Sequence, residues 1–455
     1  MTEVDVAIVG GGPAGQAAAL ILGRVGARVA VIDEQARPGG QILRQPPAAF
    51  TLPRWMTGAS YRGLRQQLAA FEALSAVRWL GDRSAIGIDG AIDAFTITTT
   101  TPTGVERIAA RRVLIAAGCY DLPVAIPGWT LPGAMGAGGL QALVKAQGVL
   151  PGDRIALAGT HPLMLIVAAQ IVAAGGAVAE ILFEQTRRSM LANLGGAVPA
   201  AGPLRDAALA LVQLRRAGVA VRFGQRLLAI EGADAVAVLR VADRDGRERR
   251  LACDAVGLCY GFLPQSDLPR QAGLAMRWAA PTGGWAATHD EWMRGSIPGI
   301  AVAGETTGVA GAPAALQAGR IAGAGLAADL GLIDLSAARA IQSPAARAWR
   351  RARRFAAMLD RIADPGPTLA RLSATIVCRC EDVTLATLNA AIGEAPEVNA
   401  VKLATRCGMG LCQGRGCEHL LTRLVAAHCG VTPDTLRPFT PRFPARPVRI
   451  GDLLG

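Results

Sequence analysis

The cysteines of this chain are concentrated near its C-terminal end. Five of the nine lie between Cys378 and Cys417, and four of these form two short pairs, Cys378 with Cys380 and Cys412 with Cys417. In a reducing compartment, clustered thiols indicate metal ligation rather than disulfides. Four thiolates from two short loops suit a [2Fe–2S] cluster. A structural zinc site is the alternative, which the CxC spacing of the first pair makes less favoured.

The remaining cysteines are not expected to bind metal. Cys407 lies five residues before Cys412, and we interpret it as a neighbour of the cluster; exchange with Cys417 as a ligand is the alternative. Cys429 is predicted to be a buried thiol at a helix end. Core or pocket positions are expected for Cys119, Cys253 and Cys259.

A glycine-rich loop follows the first hydrophobic strand, residues 4–9. The loop reads Gly10-Gly11-Gly12-Pro13-Ala14-Gly15. Glycine at 10 permits a tight turn, glycine at 12 lets backbone amides approach a pyrophosphate, and glycine at 15 lets the following helix pack closely. Asp33 ends the next strand, where a carboxylate binds ribose hydroxyls, and Glu34 is the neighbouring candidate. Together these features predict a dinucleotide site with the pyrophosphate at a helix N-terminus.

Three further segments point to a flavin. Gly39 and Gly40, followed by Gln41, form a glycine pair that lets backbone approach a ring system, and Gly118 ends a strand-like run. Gly304-Glu305 ends another strand and precedes a helix that begins near Ala312. These features resemble the two-dinucleotide-binding flavoprotein family, which implies FAD. The resemblance places Glu305 near the ribityl chain or pyrophosphate, although that family usually has Asp there and Thr at the position of Ala117.

A second strand–loop–helix–strand unit spans residues 154–184. Its loop, 159–164, keeps only the first glycine, Gly159, and His161 and Met164 stand where glycines would let backbone approach a ligand. Glu184 could still hold a ribose. We expect a degenerate fold that holds a different nucleotide or none; a working NAD(P) site is the alternative.

Composition excludes several classes of protein. Half of the 455 residues are hydrophobic, which excludes a disordered chain. The formal charge is +12, but Lys145 and Lys402 are the only lysines among 47 basic residues, and this arginine bias does not indicate a nucleic-acid surface. The uncharged span 155–179 is interrupted by Gly159 and Pro162, so we do not expect a membrane helix. The acidic N-terminal residues favour a cytoplasmic chain; peripheral attachment to the inner face of a membrane stays open.

The order of elements predicts an α/β protein with two nested Rossmann-like dinucleotide-binding folds and a small helical C-terminal domain. The predicted units are a first FAD-binding part (1–118), an inserted, degenerate NAD-like domain (119–250), a second FAD-binding part (251–330), a helical linker (331–368), a [2Fe–2S]-binding domain (369–432) and a Pro/Arg-rich tail (433–455).

The order of motifs resembles one flavoprotein family. The segment 405–414, Thr-Arg-Cys-Gly-Met-Gly-Leu-Cys-Gln-Gly, is similar to the bacterioferritin-associated-ferredoxin-like [2Fe–2S] domain. With the motif Pro127-Gly128-Trp129-Thr130-Leu131-Pro132-Gly133, the chain resembles the larger flavoprotein subunit of opine oxidases, hydrogen cyanide synthase and D-hydroxyproline dehydrogenases. The resemblance implies a second FAD-containing subunit that oxidises a C–N bond, and sometimes a small ferredoxin-like subunit.

No catalytic triad or acid–base pair is evident from the sequence. The four histidines are far apart, and His289 could reach a flavin pocket but is expected to be a hydrogen-bonded structural residue. This agrees with the resemblance, which implies that the substrate is oxidised on another subunit. On that resemblance we expect an electron-transfer subunit of a dye-linked amino- or imino-acid dehydrogenase, with a quinone or other acceptor. The alternatives are a self-contained NAD(P)H:acceptor oxidoreductase and a non-catalytic scaffold subunit.

Overall fold

The β-branched segment Thr2–Val9 forms a central strand of the larger sheet. The computed structural model describes residues 2–47, 49–50, 61–193, 201–364, 366 and 374–453. In this sheet the strands run in the order Val77–Leu80, Val29–Ile32, Thr2–Val9, Gly104–Ile115, Phe95–Thr101 and Ala85–Asp89, with Ile300–Val302 also pairing with Gly104–Ile115. The parallel part of the sheet contains Thr2–Val9, Val29–Ile32 and the strand before Gly304, Ile300–Val302. Because these strands are parallel, their C-terminal ends lie at one edge of the sheet.

A second parallel sheet is inserted between the two halves of the first unit. Its strands run in the order Ala220–Phe223, Val178–Phe183, Ile155–Gly159, Ala255–Cys259 and Ala134–Gly136. Its fourth strand lies beyond residue 250, the boundary predicted from the sequence, because a short antiparallel sheet intervenes in the chain. That sheet comprises Arg226–Glu231, Val238–Ala242 and Glu248–Ala252.

Short antiparallel pairs complete the sheet structure among the described residues. They are Cys119–Asp121 with Phe262–Pro264, Met276–Trp278 with Trp285–Ala287, and Ile376–Cys378 with Val383–Thr384. The first pair joins the two nucleotide-binding units, because both its strands lie where the chain passes from one unit to the other.

Helices cover both sheets and build the C-terminal part. The α-helices are Pro13–Arg24, Arg62–Glu72, Ala137–Ala142, Leu163–Ala173, Arg187–Ala192, Ala201–Arg216, Asp267–Gln271, Ala312–Asp329, Leu335–Ala363, Leu385–Glu394, Val398–Thr405, Glu418–Cys429 and Ile450–Leu453. A π-helical turn, Leu143–Gln147, and two 3-10 turns, Gly304–Thr307 and Pro433–Thr435, complete them. The predicted α/β class with two nested dinucleotide folds and a helical C-terminal domain is confirmed.

Two helices of the first unit approach each other closely through small residues. A Cβ added at Gly319 would lie 2.0 Å from the carbonyl oxygen of Ala14, and one at Gly323 would lie 2.9 Å from the Cα of Ala18. Because no side chain separates them, Pro13–Arg24 and Ala312–Asp329 pack with their backbones nearly in contact. This contact brings their N-termini to the same side of the sheet.

The linker and the cluster domain follow in the chain. Leu335–Ala363, called the linker helix below, begins at Asp334, whose carboxylate accepts a hydrogen bond from Ala337 N. The predicted boundary at 368 lies outside the described residues. Among the described helices, none is both long enough and apolar enough to cross a lipid bilayer.

Candidate functional site: two cofactor sites with a shared wall

The glycines of the first loop have different structural roles. At Gly10, where φ is +110°, an added Cβ would lie 2.2 Å from the carbonyl oxygen of Ala116, so the neighbouring strand leaves no room for a side chain. A Cβ at Gly15 would lie 1.9 Å from the Gly10 oxygen. At Gly12 the nearest atom would be the Cα of Gly40 at 3.7 Å, so this position is open. Gly10 and Gly15 therefore close the turn, and Gly12 leaves space for a ligand.

A cavity of about 1600 Å³ opens at this loop. Except for Gly15, every cofactor-binding residue predicted from the sequence lines it: Gly10, Gly12, Pro13, Ala14, Asp33, Glu34, Gly40, Gln41, Gly118, Gly304, Glu305 and Ala312. Gly15 is buried beneath the loop. The helices Pro13–Arg24 and Ala312–Asp329 both begin here, and neither has a side-chain cap. Their uncapped N-termini suit an anionic ligand, so the cavity fits a dinucleotide such as FAD.

The acids at the end of the second strand have different partners. Asp33 accepts hydrogen bonds from Gly11 N at 2.6 Å and Gln35 N at 2.8 Å. Burial raises the pKa of this carboxyl group. Glu34 accepts a hydrogen bond from Ser84 Oγ at 3.1 Å and forms an ion pair with Arg446. Nothing in the sequence around the two acids indicates Arg446, because that residue lies more than 400 positions away along the chain.

Glu305 is held by the backbone at the other end of the cavity. Its carboxylate accepts hydrogen bonds from Ala310 N and Gly311 N, each at 2.8 Å. Burial raises the pKa of Glu305 to about 7. The side chain therefore fixes the loop that leads into Ala312–Asp329, whose N-terminus faces the cavity.

The glycine pair is supported from the inserted unit. Gln41 Nε2 donates to the Cys119 carbonyl at 2.6 Å, and Lys145 Nζ donates to the Ile42 carbonyl at 3.3 Å. Only 2% of Lys145 is exposed. Burial lowers the pKa of its ammonium group to about 7. A lysine within the short turn Leu143–Gln147 is the sequence signal that could have identified this position.

The second glycine loop is covered by the end of the linker helix. Thr160 Oγ1 donates to the Ala363 carbonyl at 2.5 Å, and Gln185 Nε2 donates to the Ile362 carbonyl. The C-terminal end of a helix carries partial negative charge, which disfavours a phosphate at this position. Glu184, the candidate ribose ligand, accepts a hydrogen bond from the Tyr260 hydroxyl at 2.9 Å.

Histidines contribute little to the cavity. His161 lines it, and its Nδ1 accepts a hydrogen bond from Leu163 N at 3.1 Å. Burial lowers the pKa of His161 to about 4. His289 lies outside the cavity lining, with Nδ1 2.8 Å from the carbonyl oxygen of Asp290. This arrangement agrees with the expected structural role of His289.

The cluster-domain thiols form two groups. Cys378, Cys407 and Cys417 are buried, with their sulfur atoms within 4.8 Å of one another. Cys380 is exposed and lies beside half-buried Cys412. Each iron of a [2Fe–2S] cluster takes two protein ligands, and one group of thiols for each iron fits this donor set. The structure therefore brings the four predicted ligands into one region and adds Cys407 to the buried group.

The remaining cysteines lie outside these groups. Cys429 is exposed at the end of Glu418–Cys429, so the prediction that it is buried is wrong. The helix ends at the domain surface, and only its preceding turns pack inward. Cys253 and Cys259 are buried, and Cys119 lines the cavity, as expected for core or pocket residues.

The loop before Cys417 contacts the wall of the dinucleotide cavity. Arg415 Nε donates to Asp267 Oδ2 at 2.7 Å, and Asp267 lines the cavity. Arg270 pairs with Asp267 at 3.4 Å and with Glu418 at 2.7 Å. Asp267, Arg270 and Glu418 are each less than a tenth exposed. This buried ionic network, with two positive and two negative groups, joins the two sites.

The sequence motif at 127–133 also contacts the cluster domain. Trp129 Nε1 donates to the Ile376 carbonyl at 2.8 Å, and Arg379 donates to the Thr130 carbonyl at 3.1 Å. A Cβ added at Gly128 would lie 1.8 Å from the carbonyl oxygen of Ile230. The motif is therefore a turn that holds the strand containing Cys378 against the inserted unit.

Comparison with known proteins agrees with both sites. Residues 4–319 match the pyridine nucleotide-disulphide oxidoreductase family, and residues 376–427 match the BFD-like [2Fe-2S] binding domain. The chain is 34% identical to the A subunit of opine oxidase from Rhizobium meliloti (strain 1021), covering 100% of this chain and 99% of the relative. It is 31% identical to the HcnB subunit of hydrogen cyanide synthase from Pseudomonas protegens, covering 98% and 96%. L-proline dehydrogenase from P. horikoshii shares the fold, with a TM-score of 0.73, 21% identity and coverage of 99% and 79%.

Proposed function

Since the chain belongs to the pyridine nucleotide-disulphide oxidoreductase family and, along its whole length, to the family of the opine oxidase A subunits, we propose that it is an electron-transfer subunit. It is an oxidoreductase with sites for FAD and a [2Fe–2S] cluster. When bound, these groups supply two-electron and one-electron chemistry, respectively. In the proposal, the chain serves a heteromeric dye-linked dehydrogenase whose partner flavoprotein oxidises the C–N bond of an amino or imino acid of the opine or hydroxyproline type.

The shared wall between the two sites is the observation that carries this proposal. The Asp267 carboxylate lines the FAD cavity and pairs with Arg415, which lies between Cys412 and Cys417. Arg270 pairs with both Asp267 and Glu418 and so stabilises this contact. An electron-transfer subunit needs its two redox groups at a fixed separation, and a buried network of hydrogen-bonded charges provides a rigid connection.

The residues around the second loop argue against direct reduction by a nicotinamide. The Ala363 and Ile362 carbonyls lie where the loop would bind phosphate, and the glycines needed for close approach are missing at 161 and 164. The NAD(P)H:acceptor alternative retains one favourable observation, which is that the cavity extends to His161 and Leu163.

The names of the relatives support a partner protein, since the opine oxidase and hydrogen cyanide synthase relatives are both subunits. We propose that a second FAD-containing subunit is the electron donor, that a small ferredoxin-like subunit is a further component and that a quinone is one acceptor. The exposed edge of the cluster domain at Cys380 and Leu411 suits contact with a redox partner, because Leu411 is an apolar residue that is 78% exposed. The proposed site of action is the cytoplasm or the inner face of the membrane.

A ligand substitution in the assembled complex tests the role of the chain. The tagged chain is purified with its partner, and reduction of a dichlorophenolindophenol dye is measured with opines, hydroxyproline, proline and glycine. We expect Cys412→Ser to reduce dye-linked activity by at least about a hundredfold. Replacing a residue that only supports a metal ligand can already reduce activity by about that factor, and Cys412 is itself a predicted ligand. Cys429→Ser is the matched control, since Cys429 is exposed in the same domain and lies outside both thiol groups.

The outcome also separates the alternatives. Undiminished activity in an assembled Cys412→Ser complex would contradict electron transfer through this chain and would support the scaffold role. Activity lost equally in both variants would indicate damage to the domain rather than to its cluster.

A further inference from the structure

The C-terminal tail connects the cluster domain to the FAD cavity. We define the tail segment as residues 439–446. Its first residue, Phe439, is 3% exposed, and its N–H donates to Glu418 Oε1 at 2.8 Å. The Lys402 ammonium lies 4.4 Å from the centre of the Phe439 ring. The segment therefore begins firmly fixed beside the cluster loop.

The same segment ends on the FAD-binding unit. Phe443 packs on Gly87, where an added Cβ would lie 2.5 Å from the phenyl ring. Ala445 N donates to the Ile86 carbonyl at 2.7 Å, which adds the tail to the edge of strand Ala85–Asp89. This strand borders the end of the cavity that contains the ribose-binding acids, so the next residue, Arg446, points to that end.

Arg446 lines the cavity together with both acids. It forms an ion pair with Glu34, and its side chain is 22% exposed. Burial lowers the pKa of the guanidinium, and the charge of Asp33 opposes that shift. Two adjacent carboxylates would repel the diphosphate of a dinucleotide, whereas a guanidinium paired with one of them removes one negative charge from the site.

We propose that Arg446 is an FAD-binding residue that the tail contributes to the adenosine end of the cavity. Arg446 neutralises Glu34, leaves Asp33 for the ribose hydroxyls, and covers the adenosine half of the cofactor. Because the segment is also fixed at Phe439, the cluster domain holds this closure in place. FAD then leaves only when the tail detaches from strand Ala85–Asp89.

Equilibrium dissociation of FAD from the isolated, cluster-containing chain tests the proposal. Recovery of free-flavin fluorescence is measured for the wild type, Arg446→Ala and Arg446→Gln; the glutamine variant keeps a polar side chain but removes the charge. For each of the two Arg446 variants we expect the FAD dissociation constant to rise about tenfold. This is the size expected when an interaction with a charged group is lost. Iron content and the melting temperature of the flavin-free protein remain unchanged.

Arg449→Ala is the matched control. Arg449 lies in the same tail, is 77% exposed at its side chain and pairs locally, with Asp452 at 3.0 Å. Equal FAD dissociation constants for the wild type, the Arg449→Ala variant and the two Arg446 variants would overturn the proposal. So would a loss of iron or thermal stability that accounts for the flavin loss. The measurement uses no partner protein, so its result is independent of the proposed electron-transfer role.

Discussion

Cys407 belongs to the buried thiol group but is not among the four predicted cluster ligands. Its sulfur lies within 4.8 Å of those of Cys378 and Cys417, whereas Cys380 lies beside Cys412. We expect Cys407→Ala to retain two iron atoms per chain, and Cys412→Ser to lose them, because the Cys380 side of the cluster has no spare thiol among the described residues. Iron analysis and the electron paramagnetic resonance signal of the reduced protein measure this.

The converse variant tests ligand exchange. If Cys407 can replace Cys417, the Cys417→Ser variant keeps a cluster with a changed signal, and the double variant with Cys407→Ala loses it. Loss of iron in Cys407→Ala together with retention in Cys417→Ser would show that the predicted assignment of these two residues is reversed.

Lys145 makes stability depend on pH. Its pKa is lowered to about 7 by burial, from 10.5 in the unfolded chain. Between these values the unfolded chain holds a proton that the folded chain has released, so stability rises with pH. Relative to Lys145→Met, the wild type is expected to gain on the order of 1 kcal/mol per pH unit from pH 7 to 9. Urea unfolding of both proteins measures the difference; a constant difference would contradict the assignment.

At the scale of elements, the glycine loop that precedes helix Pro13–Arg24 contains one glycine needed for ligand binding and another needed for folding. At Gly12, φ is −79° and an added methyl group meets nothing closer than 3.7 Å, but it enters the cavity. We expect Gly12→Ala to weaken FAD binding at least about tenfold with less than about 1 kcal/mol lost from stability. Calorimetric titration with FAD and unfolding curves measure the two effects.

Gly10→Ala is the contrasting variant. Its methyl group would lie 2.2 Å from a backbone oxygen at a φ of +110°, so unfolding becomes easier by more than about 1 kcal/mol. Equal stability losses in the two variants would mean that Gly12 is also a packing position.

Local sequence patterns predicted most elements of the two nucleotide folds. Glycine loops and short β-branched or apolar runs report the geometry of adjacent residues. They predict strands at 4–9 and 154–158, where the structure has Thr2–Val9 and Ile155–Gly159. The strand Ala255–Cys259 was assigned to the wrong unit, since its partners in the sheet come from before the short antiparallel sheet. Periodicity carries no information about which distant strands pair.

At the scale of the whole molecule, the contacts that join the units were not predictable from one sequence. Arg415 meets Asp267 across 148 residues, and Thr160 meets Ala363 across 203. Arginine is abundant along the chain, so its presence in the loop before Cys417 gave no sign of its partner. The cofactor sites themselves were predictable because each rests on closely spaced residues.

The buried network makes the two sites depend on each other. Replacing Arg270 with Met leaves Asp267 and Glu418 buried with reduced compensation, and breaking such a pair costs about 3–5 kcal/mol. We expect a lower melting temperature and partial loss of both flavin and iron. Arg339→Met, at an exposed ion pair with Glu291, is the control and is expected to change stability by less than about 1 kcal/mol. A similar small effect at Arg270 would contradict a structural role for the network.

The most direct test of electron delivery by a partner is the anaerobic absorbance spectrum of the chain, alone and in its purified complex. With NADH or NADPH added to the isolated chain, the flavin and cluster bands are expected to remain, because the linker helix covers the second loop. With the amino or imino acid substrate added to the complex, both bands are expected to bleach. Rapid bleaching of the isolated chain by NADH or NADPH would contradict the account and establish the self-contained oxidoreductase instead.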